Sequence, residues 1–189
     1  MSEAAISKKN FSTAELVYIA VCAALMAVCS WISIPAPAPL APFTLQTFAV
    51  FLVLLLLGGR RGFFTVLTYV LLGAAGLPVF AQFMGGVGVL LGTTGGYIIG
   101  FLFTAALYWA LERVIGGKSV WTIAALVLGL LVCYAFGTAW FMVVYAAQSG
   151  PVGLAAALSW CVLPFVIPDL AKLALAWGLA AVLKKHVRL

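Results

Sequence analysis

The chain has 189 residues, 66% of them hydrophobic and only 7% charged. Soluble domains run near half apolar and a quarter charged, so a water-soluble globule is excluded, and the length suits one membrane domain spanning 1–189. The net charge of +6 does not point to nucleic acid, because the basic residues stand at the ends of apolar segments, where they orient a membrane protein.

Six apolar stretches, broken by glycine, proline or charge, cover roughly 14–33, 43–58, 62–77, 94–112, 120–147 and 155–183. About 20 helical residues cross the roughly 30 Å of bilayer hydrocarbon. Period-two alternation is absent and lipid cannot satisfy an open backbone, so the prediction is an all-α membrane protein with six transmembrane helices. The first stretch follows Lys8 and Lys9, and Ala36-Pro37-Ala38 mimics a leader cleavage site. The run over 14–34 is too long for a leader core, and prolines crowd the mock site, which predicts a retained helix. The second and third stretches are short, consistent with tilting, burial inside the bundle or a shared crossing. The sixth is long enough to begin outside the lipid.

The connections sort by charge. Lys8 and Lys9 precede the first stretch, Arg60 and Arg61 divide the second from the third, Arg113 and Lys118 divide the fourth from the fifth, and Lys184, Lys185 and Arg188 follow the sixth. The three alternate connections contain no basic residue. The positive-inside rule therefore predicts both termini in the cytoplasm and the uncharged loops outside. Two of those loops are unusual. "IPAPAPLAPF" (34–43) carries Pro35, Pro37, Pro39 and Pro42, which favour stiff polyproline II. "LPVFAQFMGGVGVLLGTTGGY" (77–97) is glycine-rich and too apolar to lie idle in water. Together they predict a lid over a cavity. No internal repeat is evident, which weighs against an inverted-repeat carrier.

Asp169 and Lys172, in "PDLAK", are the only charged residues between Lys118 and Lys184. At i and i+3 they share one helix face. Pro168 just before them predicts a kink or a helix start. A lone charge at mid-membrane costs about 2.5–3.5 kcal/mol on insertion scales, and a self-neutralising pair costs less, but two apolar residues would avoid the cost entirely. Three roles follow: a salt bridge that fixes packing, a grip on a polar ligand in an outward cavity, or a proton relay. The relay fits worst, since Lys172 keeps Asp169 ionised. Other polar residues gather at the same predicted rim: Thr44 and Gln46 after the proline loop, Gln82 in the glycine loop, and Thr93, Thr94 and Tyr97 at the start of the fourth stretch. Converging polar groups in an apolar cavity make a small-molecule site. Singly, each has an ordinary role, such as a helix cap for Thr93 or Thr94 and an interfacial anchor for Tyr97.

Gly92, Gly96 and Gly100 form a small-residue ridge suited to close helix approach. Ala20 and Ala24 make a small-xxx-small pair on the first stretch, fitting either ordinary packing or a partner-docking face, with Ala23 and Ala27 offset by three. Cys22, Cys29, Cys133 and Cys161 are scattered singly through apolar runs and read as small hydrophobes. "GGKS" (116–119) lacks the phosphate-loop glycine, which is Glu112 here, and "GVGVLLG" (86–92) has the wrong spacing for a dinucleotide loop. With His186 as the only histidine and no nucleophile elbow or metalloprotease motif, no enzyme and no cofactor are predicted.

"PFTLQTFAVFL" (42–52), "GLPVF" (76–80), "GTTGGYIIGF" (92–101) and "LPFVIPDLAK" (163–172) resemble, in order and spacing, the biotin-specific BioY family. The resemblance runs from about Ala20 to Lys172. Members usually have proline in place of Thr93 and glycine in place of Gln82. The resemblance implies the substrate-binding (S) component of an energy-coupling-factor (ECF) vitamin importer. Such a subunit captures biotin at the outer face of a bacterial or archaeal cell membrane and docks on a transmembrane coupling protein (the T component), driven by two cytoplasmic ATPases. The family's charged pair falls on Asp169 and Lys172, and its docking pair on Ala20 and Ala24. Tyr97, Thr44, Gln46 and Gln82 are expected to complete the polar contacts, with Val79 and Phe80 against the ligand rings. The competing expectations are an S component for riboflavin or thiamine, a stand-alone ion-coupled carrier, and a non-transporting scaffold.

Overall fold

The computed structural model describes residues 11–35, 41–115 and 119–185. Lys8, Lys9, Pro37, Pro39, Lys118, His186 and Arg188 lie outside them. In chain order the elements are α1 (Thr13–Trp31), β1 (Ser33–Ile34), β2 (Phe43–Thr44), α2 (Gln46–Ala74), a 3₁₀ turn (Ala81–Phe83), α3 (Val87–Leu91), α4 (Gly95–Ile115), α5 (Ser119–Ser149), α6 (Leu154–Cys161) and α7 (Leu163–Leu183). Five segments are long and apolar enough to cross a membrane: Thr13–Trp31, Gln46–Ala74, Gly95–Val114, Ser119–Ser149 and Leu154–Leu183.

The second and third predicted stretches join in α2, but α2 is not a straight rod. Gly58 breaks it at φ 76°, ψ 177°, a region open essentially to glycine alone. Gln46 Nε2 lies 2.7 Å from Tyr69 Oη, 23 positions along the chain; a straight helix would hold them about 35 Å apart. The halves 46–57 and 59–74, about 18 and 24 Å long, therefore fold back on each other, and Gly62 packs directly on Leu54. The break falls at the Gly58–Arg61 charge boundary seen in the sequence. Glu112 of α4 accepts the Gly59 N–H at 2.7 Å, satisfying a first-turn donor that the break leaves without a helical partner.

The first half of α2 is hydrophobic all round, with every residue from Ala49 to Leu55 buried, as a central helix requires. Around it stand α1, the second half of α2, α4 and α7, while α5 packs along α4. The glycine ridge mediates that last contact. Gly96 faces Trp140 and Gly100 faces Cys133, while Thr104 Oγ1 donates to the carbonyl of Gly129 at 2.8 Å. The four cysteines are free and buried.

One local expectation is corrected. Pro168 does not start the last helix. It lies inside α7, which begins at Leu163 with Pro164 in its first turn, where a proline costs no hydrogen bond. The break in the sixth stretch comes earlier, at Val162 (φ −123°, ψ −58°), and separates α6 from α7. The centre of the proline loop, 36–40, lies outside the described residues; at its ends Ser33 pairs with Thr44 and Ile34 with Phe43 as a short antiparallel ladder.

Apart from Asp169 and Lys172, the charged groups named among the described residues gather at one end of the bundle. Ser12 and Glu15 form a reciprocal capping box at the start of α1, and Glu15 Oε1 also accepts from Arg61 Nε at 2.6 Å. Arg60 lies over the Phe11 ring at 4.4 Å. The apolar loops and the short ladder occupy the opposite end.

Candidate substrate-binding site

At the loop end a cavity of about 550 Å³ opens between the ladder, the 77–95 segment, α4, α5 and α7. That is within the roughly 300–1,000 Å³ usual for small-molecule sites. Its walls are mainly apolar, among them Phe80, Ile98, Phe101, Leu130 and Phe165.

Asp169 and Lys172 both line the cavity, with Lys172 Nζ 2.8 Å from Asp169 Oδ1. The Asp169 side chain is 4% exposed and that of Lys172 12%, so the pair is shielded from the outer surface of the bundle. Asp169 does not depend on Lys172 alone, because Tyr134 of α5 donates to its other oxygen, Oδ2, at 2.6 Å. Two charge-assisted bonds thus fix both carboxylate oxygens from different helices, and such bonds are roughly twice as strong as neutral ones. The ammonium has three donors, of which the pair uses one. No other acceptor holds it among the described residues, which leaves two donors for a guest acceptor.

Thr44 and Gln46 line the cavity from β2 and the start of α2. Gln46 is held at both ends of its amide: Nε2 donates to Tyr69 Oη, and Oε1 accepts from Thr44 Oγ1 at 3.1 Å. Tyr97 reaches in from the first turns of α4, its hydroxyl 3.0 Å from Thr138 Oγ1 and its ring seated on Gly137. Phe80 is wholly buried with its ring edge-on to Tyr69, forming the floor beneath the loop. Gln82 also lines the cavity, with φ 57° and ψ 32°. This left-handed backbone favours glycine. Thr93 and Thr94 line the mouth. Val79 does not line the cavity; it packs against the core, and its carbonyl accepts from Ser30 Oγ at 2.5 Å.

The sequence reading missed Tyr134, Phe101 and Phe165. Nothing local marked them, since each sits in a continuous apolar run and acquires its role only when α5, α4 and α7 converge. It also missed how the loop is anchored. Trp31, at the end of α1, donates from Nε1 to the carbonyl of Pro78 at 2.7 Å and stacks on Phe83, 5.0 Å between centroids. Ala20 and Ala24 lie on the exposed face of α1 with Leu16, Val17, Val21 and Val28, whereas Ala23 and Ala27 face the core.

Several helices long and apolar enough to cross a membrane, around a cavity that is apolar but for one buried ion pair and a few placed polar groups, fit the class of membrane proteins that hold a small amphipathic ligand. The BioY family model matches residues 4–189. The biotin transporter BioY of Thermotoga maritima is 43% identical over 171 residues, 90% of this chain and 96% of that one. A probable biotin transporter BioY of Pyrococcus horikoshii is 40% identical over 166 residues, 86% and 91% of the two chains. Among solved structures, the S-component for biotin from an ECF-type ABC transporter superposes with a TM-score of 0.79 at 27% identity, covering 93% of this chain and 95% of that one. The chain belongs to the BioY family.

Proposed function

We propose that this protein is the biotin-binding S component of an ECF-type importer, and that the cavity bounded by Asp169 and Lys172 is where biotin is held. The observation that carries this reading is the buried ion pair standing in a cavity rather than in a packed interface, on a chain whose relatives are biotin transporters. Biotin is chemically matched to such walls. Its ureido ring offers two N–H donors and a carbonyl acceptor, its thiophane ring and valeryl chain are apolar, and its tail ends in a carboxylate. Asp169 accepts from a ureido N–H while Lys172 donates to a ligand oxygen. Thr44, Gln46, Gln82 and Tyr97 supply the remaining polar contacts, and Phe80 lies against the rings. Closure of the two loops over the ligand excludes water, which strengthens each of these bonds.

In this reading the bundle crosses the membrane six times, each half of α2 counting once, with the cavity mouth outside and both termini in the cytoplasm. Support comes from the clustering of Glu15, Arg61, Glu112 and Lys184 at the end away from the cavity. Calorimetric titration with biotin is expected to show one-to-one binding, and biotin is expected to raise the melting temperature, because a ligand that binds only the folded state must stabilise it. Binding of riboflavin or thiamine but not biotin would replace the substrate, and no stabilisation by any vitamin would remove the transport role altogether.

The coupling protein and two ATPases are expected partners, with the exposed Ala20/Ala24 face of α1 as the docking surface. Small residues let two helices approach closely in lipid, where packing rather than hydrophobicity drives association. Leucine at both positions keeps α1 apolar and helical but fills the groove. The double variant A20L/A24L is expected to bind biotin with unchanged affinity. In cells carrying the coupling module, its biotin uptake should fall at least tenfold. Wild-type uptake by that variant would rule out this face.

A further inference from the structure

A second cavity, of about 300 Å³, lies at the charged end of the bundle, between the C-terminal parts of α4 and α7 and the first turns of α5. Its floor is buried and includes Tyr108; its rim carries Glu112, Ser119, Thr122, Trp177 and Lys184. None of these residues belongs to the biotin site. Glu112 and Lys184 bring opposite charges to one cavity without forming an ion pair with each other, unlike Asp169 and Lys172. Glu112 spends Oε2 on the Gly59 N–H. No bond to Oε1 appears among the described residues. The cavity is therefore shaped for a ligand with a cation and an anion of its own.

The surroundings narrow the ligand class. Trp177 and Ala181 share a face of α7 with Ala174 and Leu170, and Leu170, Ala174 and Ala181 are exposed, so an apolar path runs from the cavity along the helix. A water-soluble zwitterion has no use for such a path, whereas an acyl chain does. A tryptophan beside charged groups is also the usual furniture of the headgroup layer. We infer that this cavity holds the headgroup of a phosphatidylethanolamine: its phosphate at Lys184 and the Ser119 hydroxyl, its primary ammonium at Glu112, and its chains along α7. On the orientation proposed above, this is a lipid of the inner leaflet.

The commitment to ethanolamine follows from Glu112. A purely anionic headgroup satisfies Lys184 but brings like charge to the carboxylate, and the methylated ammonium of choline cannot donate a hydrogen bond to it. The full-length protein, purified in detergent and mixed with equal amounts of phosphatidylethanolamine, phosphatidylglycerol and phosphatidylcholine, can be examined by native mass spectrometry. Phosphatidylethanolamine is expected to be retained at least fivefold over each of the others. Glu112→Gln should abolish the preference over phosphatidylglycerol, and Lys184→Gln should reduce retention of all three, with biotin affinity of the Lys184 variant unchanged. If Glu112→Gln does not fold, because it also holds Gly59, the wild-type ranking and Lys184→Gln decide. Soluble glycerophosphoethanolamine should not displace the lipid at millimolar concentration. Equal retention of the three lipids by the wild type, unaltered retention by Lys184→Gln, or displacement by the chainless headgroup would each overturn the assignment.

Discussion

Alanine at Asp169 is expected to weaken biotin binding by at least about 30-fold, and alanine at Lys172 by a similar factor. Truncating one member of a buried, hydrogen-bonded charge pair costs about 2–5 kcal/mol, and each 1.4 kcal/mol is tenfold in affinity. The cost has two sources. The variant loses the ligand contact, and it leaves the surviving charge without its counter-ion in a site where Asp169 is 4% exposed and Lys172 only 12%. The two single variants differ in what remains. Without Lys172, Asp169 keeps the Tyr134 hydroxyl on Oδ2; without Asp169, no other carboxylate lines the cavity. The aspartate variant should therefore be the less stable of the two in the absence of ligand. Removing both charges should restore stability toward wild type while leaving biotin binding lost, since replacing a buried pair with apolar groups is often neutral for folding. Tyr134→Phe isolates the third partner and should weaken binding about tenfold, since hydrogen bonds to charged groups contribute about 1.5–3 kcal/mol. Isothermal titration of the four variants checks the series. Wild-type affinity in Asp169→Ala would sink the assignment of the cavity.

The pair was legible in the sequence because its cause is local. Two charges three positions apart in an apolar helix must share a face, whatever the rest of the chain does. The clustering of Thr44, Gln46, Gln82 and Tyr97 was legible for a less direct reason: charge bias assigned their segments to one end, and one end of a small bundle is a small space. Tyr134 was not legible, because a tyrosine in the middle of an apolar run is equally suited to core packing, and only the approach of α5 to α7 decides. Val79 was misjudged because two neighbours in an extended turn point different ways: Phe80 is driven under the loop against Tyr69, leaving Val79 to the core with its carbonyl on Ser30. The helix count shows the same division. The Gly58–Arg61 interruption was visible as a charge boundary between two short apolar runs. That the chain reverses there within a single residue was not visible: the freed Gly59 N–H finds its acceptor in Glu112 of α4, more than 50 positions away.

That reversal makes Gly59 a position where the smallest addition should harm both the fold and the packing of α2 on α4. A Cβ at Gly59 would stand 2.4 Å from the Cα of Trp109 and 2.8 Å from the Glu112 oxygen that binds the Gly59 N–H. The first contact is with backbone and cannot be relieved by a rotamer change, so α2 and α4 must part. Overpacking of this kind costs about 1–3 kcal/mol, and the strained hydrogen bond to Glu112 adds about 1.5–3 kcal/mol if it breaks. At roughly 2–4 °C per kcal/mol for a chain of this size, Gly59→Ala should lower the melting temperature by about 5–15 °C. The damage should reach the cavity, because the hairpin is what brings Tyr69 to Gln46. Biotin affinity of the folded fraction should fall several-fold, although Gly59 is far from the ligand. Gly178 provides the control: it lies on α7 with nothing within 4 Å of an added Cβ, and alanine there should be neutral or slightly stabilising. Equal melting temperatures for Gly59→Ala and Gly178→Ala would mean that the close approach of α2 to α4 does not hold the hairpin shut, and that the second wall of the cavity is positioned by something else.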